Sequence, residues 1–404
     1  MDKLLFITTR NVLNTCGELR LIKNRAKVLY EKWGIETDFI VLCSWKKIET
    51  QNEHIGYGST MEKIGFNNNP LSIGSAFFCG KEAIRNRMSS QKYKCVILSG
   101  IGMLEYVDAI RKIDCSIPII ADIHGAKEEL VEFNGGSFFK RLFKRALFHC
   151  VEHSENKYLD QLDGALVVSR ALTRNLNTSY GLKKLKYYIV PCAIANTELE
   201  YENAMQYRKY YRSRYDFGIE DLILIYSGGV SAWQCIEKSI DIYDKLKAIY
   251  DEKIRMVILS HQLEEMQAII GERGDIIIDR IDAADVGKAL CAGDYALLIR
   301  ENYVTNNVAY PNKFLEYVQS GMKIISTPYI IDVADQIKKF DLGIILDPEY
   351  DDEGLTDYMS LSRQKSSDWE KRNELLHSMS FENTLKEFVA DMFGRDDFIE
   401  GDNK

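Results

Sequence analysis

A short stretch, VAYPNKFLEYVQSG (308–321), places a cation and a carboxylate one helical turn apart. Pro311 suits the first turn of a helix, where its missing N–H costs nothing, and Gly321 suits the left-handed position just past the end. Lys313 and Glu316 are three positions apart and therefore share one face. A phosphate can bind at the positive end of such a helix. Taken alone, however, the helix favours an ordinary solvated Lys–Glu pair.

The elements that must position this helix are parallel strands. Short, β-branched apolar runs alternate with helical patterns along the whole chain, which is typical of parallel sheets covered on both faces. Two such series predict two doubly wound domains. Strands are predicted at Leu4–Thr8, Asp38–Leu42, Cys95–Ser99, Pro118–Asp122, Ala165–Ser169 and Tyr188–Pro191, and again at Leu222–Tyr226, Arg255–Leu259, Asp275–Ile278, Ala296–Ile299, Lys323–Ser326 and Gly343–Leu346.

The boundary between the two series is predicted in a polar, Tyr-rich segment that carries no strand pattern. We expect a first domain over residues 1–200, a linker over 201–220, a second domain over 221–375 and a final helix over 376–404 that returns towards the first domain. Because ligands bind beyond the carboxyl ends of parallel strands, two such domains are expected to face each other across a cleft.

The bulk properties exclude several classes of protein. The 404 residues carry a net charge of −8, which disfavours nucleic-acid binding through overall charge. No apolar run is long enough to span a bilayer, and the N-terminal residues lack the pattern of a signal peptide. The nine cysteines are scattered without a C-x-x-C motif, which indicates a reducing, cytoplasmic compartment and no metal or disulfide framework.

Two loops that follow strands of the second series are candidates for binding an anion. In SGGVSAWQ, Gly228 and Gly229 allow a ligand to approach the backbone, although taken alone they favour a tight strand-to-helix turn. In RENYVTNNVAYPNK, Arg300 follows a strand directly, and its planar fork suits a diphosphate. The alternative for Arg300 is a salt bridge to the adjacent helix.

Two loops of the first series are weaker candidates. His124 follows the strand at Pro118–Asp122 and can donate to a sugar hydroxyl or a phosphate oxygen, or it can cap the helix that begins near Lys127. Gly17 opens a helix whose preceding loop could receive an anionic or polyol ligand, although a simple loop is favoured there.

Residues 149–153, HCVEH, match the H-x-x-E-H pattern of some zinc proteases. We reject a metal site at His149, Glu152 and His153, because the pattern is short and no third ligand is evident. A solvated helix face explains these residues adequately.

The segment SFFKRLFKRALF (137–148) interleaves four basic residues with Phe and Leu. A basic amphipathic helix is typical of membrane-surface or partner contacts. The alternative is a surface helix whose Phe and Leu side chains face the core. A second basic and aromatic run, QYRKYYRSRYD (206–216), is ambiguous in the same way.

Four segments together resemble the GT-B glycosyltransferases, most closely the bacterial family 4 members that build surface polysaccharides. The segment LLIRENYVTNNVAYPNKFLEYVQSGMKIISTP resembles that family's donor motif, and YSGGVSAWQCIEKSIDIY resembles the opening of its nucleotide-sugar domain. DGALVVSRALTRNL followed by YYIVPCAI resembles the end of its first domain, and MSFENTLKEF resembles the start of its final helix. The resemblance covers most of the chain.

The resemblance implies a fold of two Rossmann-like domains and a role for individual residues. Lys313 matches the lysine at the donor diphosphate, Glu316 the glutamate that grips the ribose hydroxyls, and His124 the histidine that lines the sugar site. We therefore predict catalytic roles for His124, Arg300 and Lys313, and donor binding by Gly17, Gly228, Gly229, Ser231, Glu301, Asn307, Pro311, Lys313 and Glu316.

This chain departs from the family pattern in three places. Val308 stands where many members have the first glutamate of an E-x7-E pair, and Arg300 or Glu301 is expected to compensate. The Arg and Lys that commonly follow the second domain's first strand are absent. Gly17 stands alone where many relatives have two glycines. The diphosphate site is therefore unusual, and Arg300 is the expected substitute cation.

The function that the resemblance implies is a retaining transfer of sugar from a nucleotide-diphosphate donor to a glycan, lipid-linked or protein acceptor. A UDP-sugar is the leading donor, and no cofactor or metal is expected. We expect the protein in the cytoplasm, where residues 137–148 would contact the inner face of a membrane. The alternatives are a non-catalytic GT-B-like subunit of another glycosyltransferase and a nucleotide-sugar epimerase.

Overall fold

The computed structural model describes residues 1–9, 17–44, 56–67, 69–133, 137–192, 199–218, 220–250, 253–346 and 366–395. The chain divides into two compact units. The first unit joins Met1–Ala193 with the terminal segment Phe381–Lys404, and the second is Ile194–Ser380.

The first unit contains a seven-stranded sheet in the order β3-β2-β1-β4-β5-β6-β7, in which every neighbouring pair is parallel. The central strands are apolar along their whole length because helices cover both faces of a parallel sheet. The strands are β1 (Lys3–Thr8), β2 (Glu36–Ser44), β3 (Met61–Phe66), β4 (Cys95–Ser99), β5 (Ile119–Ile123), β6 (Gly164–Val167) and β7 (Tyr187–Ile189).

The helices of the first unit connect these strands, and two more come from the end of the chain. They are α1 (Gly17–Trp33), α2 (Pro70–Ser90), α3 (Val107–Ile113), α4 (Glu129–Glu132), α5 (Phe138–Tyr158) and α6 (Arg170–Tyr180), with α15 (Phe381–Thr384) and α16 (Lys386–Phe393) from the terminal segment. Phe381, Phe388 and Phe393 join the core formed by α1 and the sheet. The terminal segment is therefore part of the first unit's core.

The second unit contains a six-stranded parallel sheet in the order β10-β9-β8-β11-β12-β13. Its strands are β8 (Leu222–Ser227), β9 (Ile254–Leu259), β10 (Ile276–Asp279), β11 (Tyr295–Leu298), β12 (Lys323–Ser326) and β13 (Gly343–Ile345). Its helices are α7 (Tyr201–Arg214), α8 (Ile236–Tyr250), α9 (Leu263–Ile270), α10 (Val286–Leu290), α11 (Val304–Asn307), α12 (Asn312–Gln319), α13 (Ile331–Lys339) and α14 (Ser366–Ser378).

All twelve predicted strands are present, and two other predictions need correction. Strand β3 (Met61–Phe66) was not predicted, because this edge strand is only partly buried and MEKIGF has no long apolar run. Residues 201–220, predicted as a linker, contain helix α7 instead. Its Ala204 packs with Cys291 and Trp369, and this contact orders the segment within the second unit.

Candidate functional site

Helix α12 presents Lys313 at its first turn, as predicted. The helix begins after Pro311, and Gly321 past its end has a φ of +83°. Buried Phe314 and Val318 hold its inner face against the sheet. Lys313 is partly buried; its Nζ donates to Gln234 Oε1 at 2.6 Å and lies 5.3 Å from the centre of the Tyr226 ring.

The loop after β8 lies against this lysine. Gly229 N–H donates to the same Gln234 Oε1 at 3.0 Å, and the Tyr226 hydroxyl lies at 3.0 Å from it. A Cβ on Gly228 would collide with Lys313 Nζ and with Gln234 Oε1. Position 228 therefore requires glycine, because the Lys313 and Gln234 side chains lie close to its backbone. Three donors, the Lys313 ammonium, the Gly229 N–H and the Tyr226 hydroxyl, therefore surround a single acceptor, the amide oxygen of Gln234.

Two N–H groups of the glycine loop are already engaged within the protein. Gly228 N–H donates to Leu259 O at 2.9 Å, and Val230 N–H donates to Gln262 Oε1 at 3.1 Å. A 3-10 turn, Ala232–Gln234, separates the loop from α8, so the N-terminus of α8 does not follow the glycines directly. A ligand oxygen at this loop has to compete with the amide oxygens for these donors.

Arg300 lies at the carboxyl end of the β11 segment and is buried. Its Nη1 donates to Ile299 O at 2.8 Å and to Gln234 O at 3.1 Å. The alternative prediction, a salt bridge to the adjacent helix, is wrong: within the described residues the guanidinium contacts backbone carbonyls and no carboxylate. Burial lowers the pKa of Arg300 below its ordinary value.

The two cations influence each other. Burial, and then the positive charge of Arg300, lower the pKa of Lys313 to about 7, while Glu316 opposes this shift. Neither Lys313 nor Arg300 forms an ion pair in the part of the second unit that the structure describes. This cluster is therefore a positive region without a carboxylate in ion-pair contact, and a bound anion would stabilise the charged form of Lys313.

The first unit has its own cluster at the carboxyl ends of strands. His124 follows β5, and its Nε2 lies 2.6 Å from Asp122 Oδ2. Arg25 Nη1 donates to Asp122 Oδ1 at 2.7 Å. Burial disfavours the ionised Asp122, but the charges of His124 and Arg25 outweigh it, so the pKa of this carboxyl lies well below its usual range. His124 is therefore held by Asp122 and does not cap a helix through Nε2.

The similarity of this chain to known proteins is a similarity of fold. No protein-family model matches the chain, and no curated protein matches it. A solved structure of WaaG, a glycosyltransferase involved in lipopolysaccharide biosynthesis, is 12% identical, with a TM-score of 0.65 over 97% of this chain and 100% of its own. A glycosyltransferase from Rickettsia africae is 13% identical, with a TM-score of 0.65 over 97% of both chains.

A third solved structure is described as trehalose-6-phosphate from E. coli bound with UDP-2-fluoro glucose. It is 12% identical, with a TM-score of 0.63 over 97% of this chain and 99% of its own. These neighbours are GT-B proteins, and their likeness covers both parallel sheets. The protein has the GT-B fold. The fold class predicted from the sequence is thus confirmed.

The other predicted donor residues of this GT-B chain lie near the cluster with varied partners. Glu301 forms a 2.6 Å ion pair with Lys238 of α8, so its carboxylate is engaged. Asn307 donates to Asn302 Oδ1 at 3.1 Å, and Ser231 O accepts the Gln234 N–H at 2.8 Å. Their role in binding a donor stays a prediction.

Gly17 is the first residue of α1, but the loop before it lies outside the described residues. The prediction for this loop therefore stays untested.

Gln234 and Gln262 were missed as site residues. Both contact the glycine loop, and both follow strands, after β8 and β9 respectively. The carboxyl-end rule, applied to neutral amides as well as to charges, would have found them.

The rejected metal pattern forms an ordinary exposed contact. His149 Nδ1 lies 3.5 Å from Glu152 Oε2, and the His149 side chain is 64% exposed. In the part of the chain that the structure describes, no group of three or more His, Cys, Asp or Glu side chains is placed to hold a metal ion.

The basic segment 137–148 lies in the first turns of α5. Its Phe138, Phe139, Leu142 and Phe143 are exposed, with Phe139 80% exposed. The alternative prediction, that these side chains face the core, is therefore wrong. Within the described helices, none is long and apolar enough to cross a membrane.

The second basic and aromatic run differs, because its arginines form ion pairs within the second unit. Arg208 and Arg212 of α7 pair with Asp294, and Arg214 pairs with Asp279. These ion pairs hold α7 against the second unit, so a structural role explains the basic residues of this run.

Proposed function

We propose that this protein is a retaining, family 4-type glycosyltransferase that moves a sugar from a nucleoside diphosphate to a hydroxyl of a glycan, lipid-linked or protein acceptor. The observation that supports it most is the cluster of Lys313 and Arg300, in which neither cation forms an ion pair with a described carboxylate. A diphosphate would supply negative charge in direct contact with these cations. Glu316, on the same helix face as Lys313, is proposed to bind the ribose hydroxyls.

The chemistry explains why cations are needed there. The bond between the anomeric carbon and a diphosphate oxygen breaks, a bond to the acceptor oxygen forms, and the acceptor hydroxyl passes its proton to the departing diphosphate. Negative charge accumulates on the departing diphosphate. Lys313 stabilises that charge by contact, and the buried guanidinium of Arg300 adds a fixed positive field, so both lower the barrier.

A nucleotide-release assay tests the proposal. We take UDP-sugars as the first donors, since one GT-B neighbour was solved with UDP-2-fluoro glucose. A thermal-shift screen identifies the donor that stabilises the protein, because a ligand bound only to the native state raises its stability. With that donor, Lys313→Ala should lose roughly 100-fold in turnover while staying folded.

Lys338→Ala, at an exposed lysine in the last turn of α13, is the matched control and should keep full activity. Full activity in Lys313→Ala would remove the proposal. Donor binding without nucleotide release, with or without acceptors, would instead favour the non-catalytic subunit.

A second proposal concerns location, and the exposed face of α5 favours it. We propose that the enzyme works in the cytoplasm and contacts the inner face of a membrane through residues 137–148, in surface polysaccharide or glycoconjugate synthesis. Exposed Phe139 and Phe143 would enter the interface, and Arg141 and Arg145 would meet anionic headgroups.

Sedimentation with phosphatidylglycerol vesicles tests this contact. Reversing two charges, as in Arg141→Glu with Arg145→Glu, should weaken binding at least tenfold, because each basic residue near an anionic surface contributes about 1 kcal/mol. Leu71→Ser, at an exposed apolar residue of α2, is the control and should bind normally. Absence of wild-type binding at low salt would refute the proposal.

A further inference from the structure

We propose that Gln234 is an internal competitor of the anion at the second unit's cation cluster. Its amide oxygen occupies the position of a ligand oxygen and has to leave before an anion can contact Lys313 from the glycine loop. This role rests on the proposed binding of a nucleoside diphosphate at the same cluster. It makes Gln234 the residue that sets the affinity for that ligand, and it predicts that removing the amide strengthens binding.

The contacts of Gln234 Oε1 identify the occupied position. Lys313 Nζ donates to this oxygen at 2.6 Å, and Gly229 N–H donates to it at 3.0 Å. A backbone N–H can only donate, so the amide presents its oxygen and not its nitrogen to the loop. A cation and a backbone N–H that converge on one oxygen are also what a phosphate oxygen requires. The amide oxygen therefore lies where a phosphate oxygen would bind.

The space around this oxygen is already filled. A Cβ on Gly228 would collide with Lys313 Nζ and with Gln234 Oε1, so both atoms lie against the backbone of Gly228. The Nζ and Oε1 atoms are themselves in hydrogen-bond contact, and no third atom fits between them. A ligand oxygen can therefore take this position only after the amide has moved.

The side chain of Gln234 can leave while its backbone stays in place. Its N–H donates to Ser231 O at 2.8 Å, and its carbonyl accepts from Arg300 Nη1 at 3.1 Å. Gln234 is only partly buried, so its amide can exchange the contacts with the loop for contacts with water. Rotation of the side chain thus opens the position and leaves Arg300 where it is.

A charged oxygen gains more from the exchange than a neutral one. The Tyr226 hydroxyl, 3.0 Å from Gln234 Oε1, also donates to Gly229 O at 2.7 Å, so it keeps an acceptor when the amide leaves. Lys313 and Gly229 N–H then need a new acceptor. Hydrogen bonds to an ionised acceptor are stronger than those to a neutral one, so a phosphate oxygen can displace the amide. A neutral hydroxyl would replace one neutral oxygen by another and gain little.

Calorimetric titration of wild type and Gln234→Ala with UDP and with pyrophosphate at pH 7 tests this role. The variant should bind both ligands about tenfold more tightly, the equivalent of one hydrogen bond that the ligand no longer has to break. Pyrophosphate carries neither base nor sugar, so a gain for both ligands assigns the effect to the phosphate position. Equal or weaker binding by Gln234→Ala would refute the role, because an amide that contacts the ligand predicts a loss.

Two further variants test the charge and the specificity of the effect. Gln234→Glu keeps the shape of the side chain and places a carboxylate beside Lys313, so it should weaken UDP binding at least tenfold. Undiminished affinity in this variant would contradict the role. Gln336→Ala is the matched control, because it also removes an amide oxygen that accepts from a tyrosine, at 2.6 Å from the Tyr310 hydroxyl. Its affinity for UDP should equal that of wild type.

The outcomes separate this role from the proposed function and from simple stability. A merely structural glutamine predicts that Gln234→Ala loses both stability in urea and affinity for UDP, whereas competition predicts a gain in affinity whatever the stability. If wild type transfers sugar and Gln234→Ala gains no affinity, the proposed function stands and the role of Gln234 is refuted. If wild type transfers no sugar but Gln234→Ala gains affinity for pyrophosphate, the role stands without the proposed function. If neither protein binds UDP or pyrophosphate, no anion replaces the amide and the role is refuted.

Discussion

The two units of this protein place charged side chains at the same kind of position, the carboxyl end of a parallel strand, but they balance the charge differently. In the first unit Asp122 lies between Arg25 and His124, and the cluster compensates itself. In the second unit Lys313 donates to an amide oxygen and Arg300 to backbone carbonyls, and neither forms an ion pair with a described carboxylate. The first cluster pairs its buried carboxylate with cations, whereas the second leaves its cations without an ion-pair partner and so favours a bound anion.

The largest expected effect is on stability and distinguishes the two clusters. Asp122→Ala leaves Arg25 buried and unpaired, so the free energy of unfolding should fall by about 3–5 kcal/mol. Lys313→Met removes a partly buried cation that has no ion-pair partner and should leave stability unchanged or higher. Urea unfolding of both variants measures the contrast. A larger loss in Lys313→Met than in Asp122→Ala would reverse the comparison.

A second prediction concerns pH and follows from the pKa of Lys313, about 7 in the free protein. Above that pH the lysine is largely neutral, and binding a diphosphate requires it to take up a proton. Affinity for UDP-glucose should therefore fall as pH rises, by up to about 100-fold between pH 7 and 9. Calorimetric titration in buffers of different ionisation enthalpy measures the proton uptake directly.

Lys313→Arg keeps its charge over that whole range and is the control for the pH effect. Its affinity should vary little between pH 7 and 9. An equal pH dependence in both proteins would assign the proton to another group.

The same shift predicts how stability depends on pH. The unfolded chain binds the Lys313 proton up to about the ordinary lysine pKa of 10.5, whereas the folded chain releases it near a pKa of 7. The unfolded state thus binds more protons within this window, and the contribution of Lys313 to the free energy of unfolding increases as pH rises through it. Comparing wild type with Lys313→Met at pH 7 and 9 isolates this contribution.

The smallest expected effect tests the close packing of the glycine loop. Gly228→Ala forces Lys313 Nζ and Gln234 Oε1 to move, so affinity for UDP-glucose should fall about tenfold while the fold persists. Gly287→Ala, where an added Cβ meets nothing within 4 Å, is the control. Equal affinities in both variants would mean that the loop does not shape the site.

The sequence predicted the fold well because apolar periodicity is a local signal. The twelve predicted strands follow from runs of four or five residues. Strand β3 (Met61–Phe66) escaped because an edge strand needs less apolar surface. The positions of Lys313, at a helix start, and of Arg300, after a strand, were predicted from local patterns, whereas the donor role of Lys313 came from the resemblance to GT-B glycosyltransferases and stays a prediction.

The partners of these residues were harder to predict because they are distant in the chain. Lys313 and Gln234 are 79 positions apart, and Arg25 and Asp122 are 97 apart. No local pattern indicates such pairs. In the sequence, Arg25 in particular resembles the other basic residues of α1. Only the folded sheet brings it into contact with Asp122.

The central claim is that the unpaired cations of the second unit bind the donor diphosphate, and a crystal structure with UDP tests it most directly. The account predicts a diphosphate oxygen within hydrogen-bond distance of Lys313 Nζ, with Gln234 Oε1 released from that lysine. A well-ordered UDP bound elsewhere, with the contact between Lys313 and Gln234 intact, would contradict it.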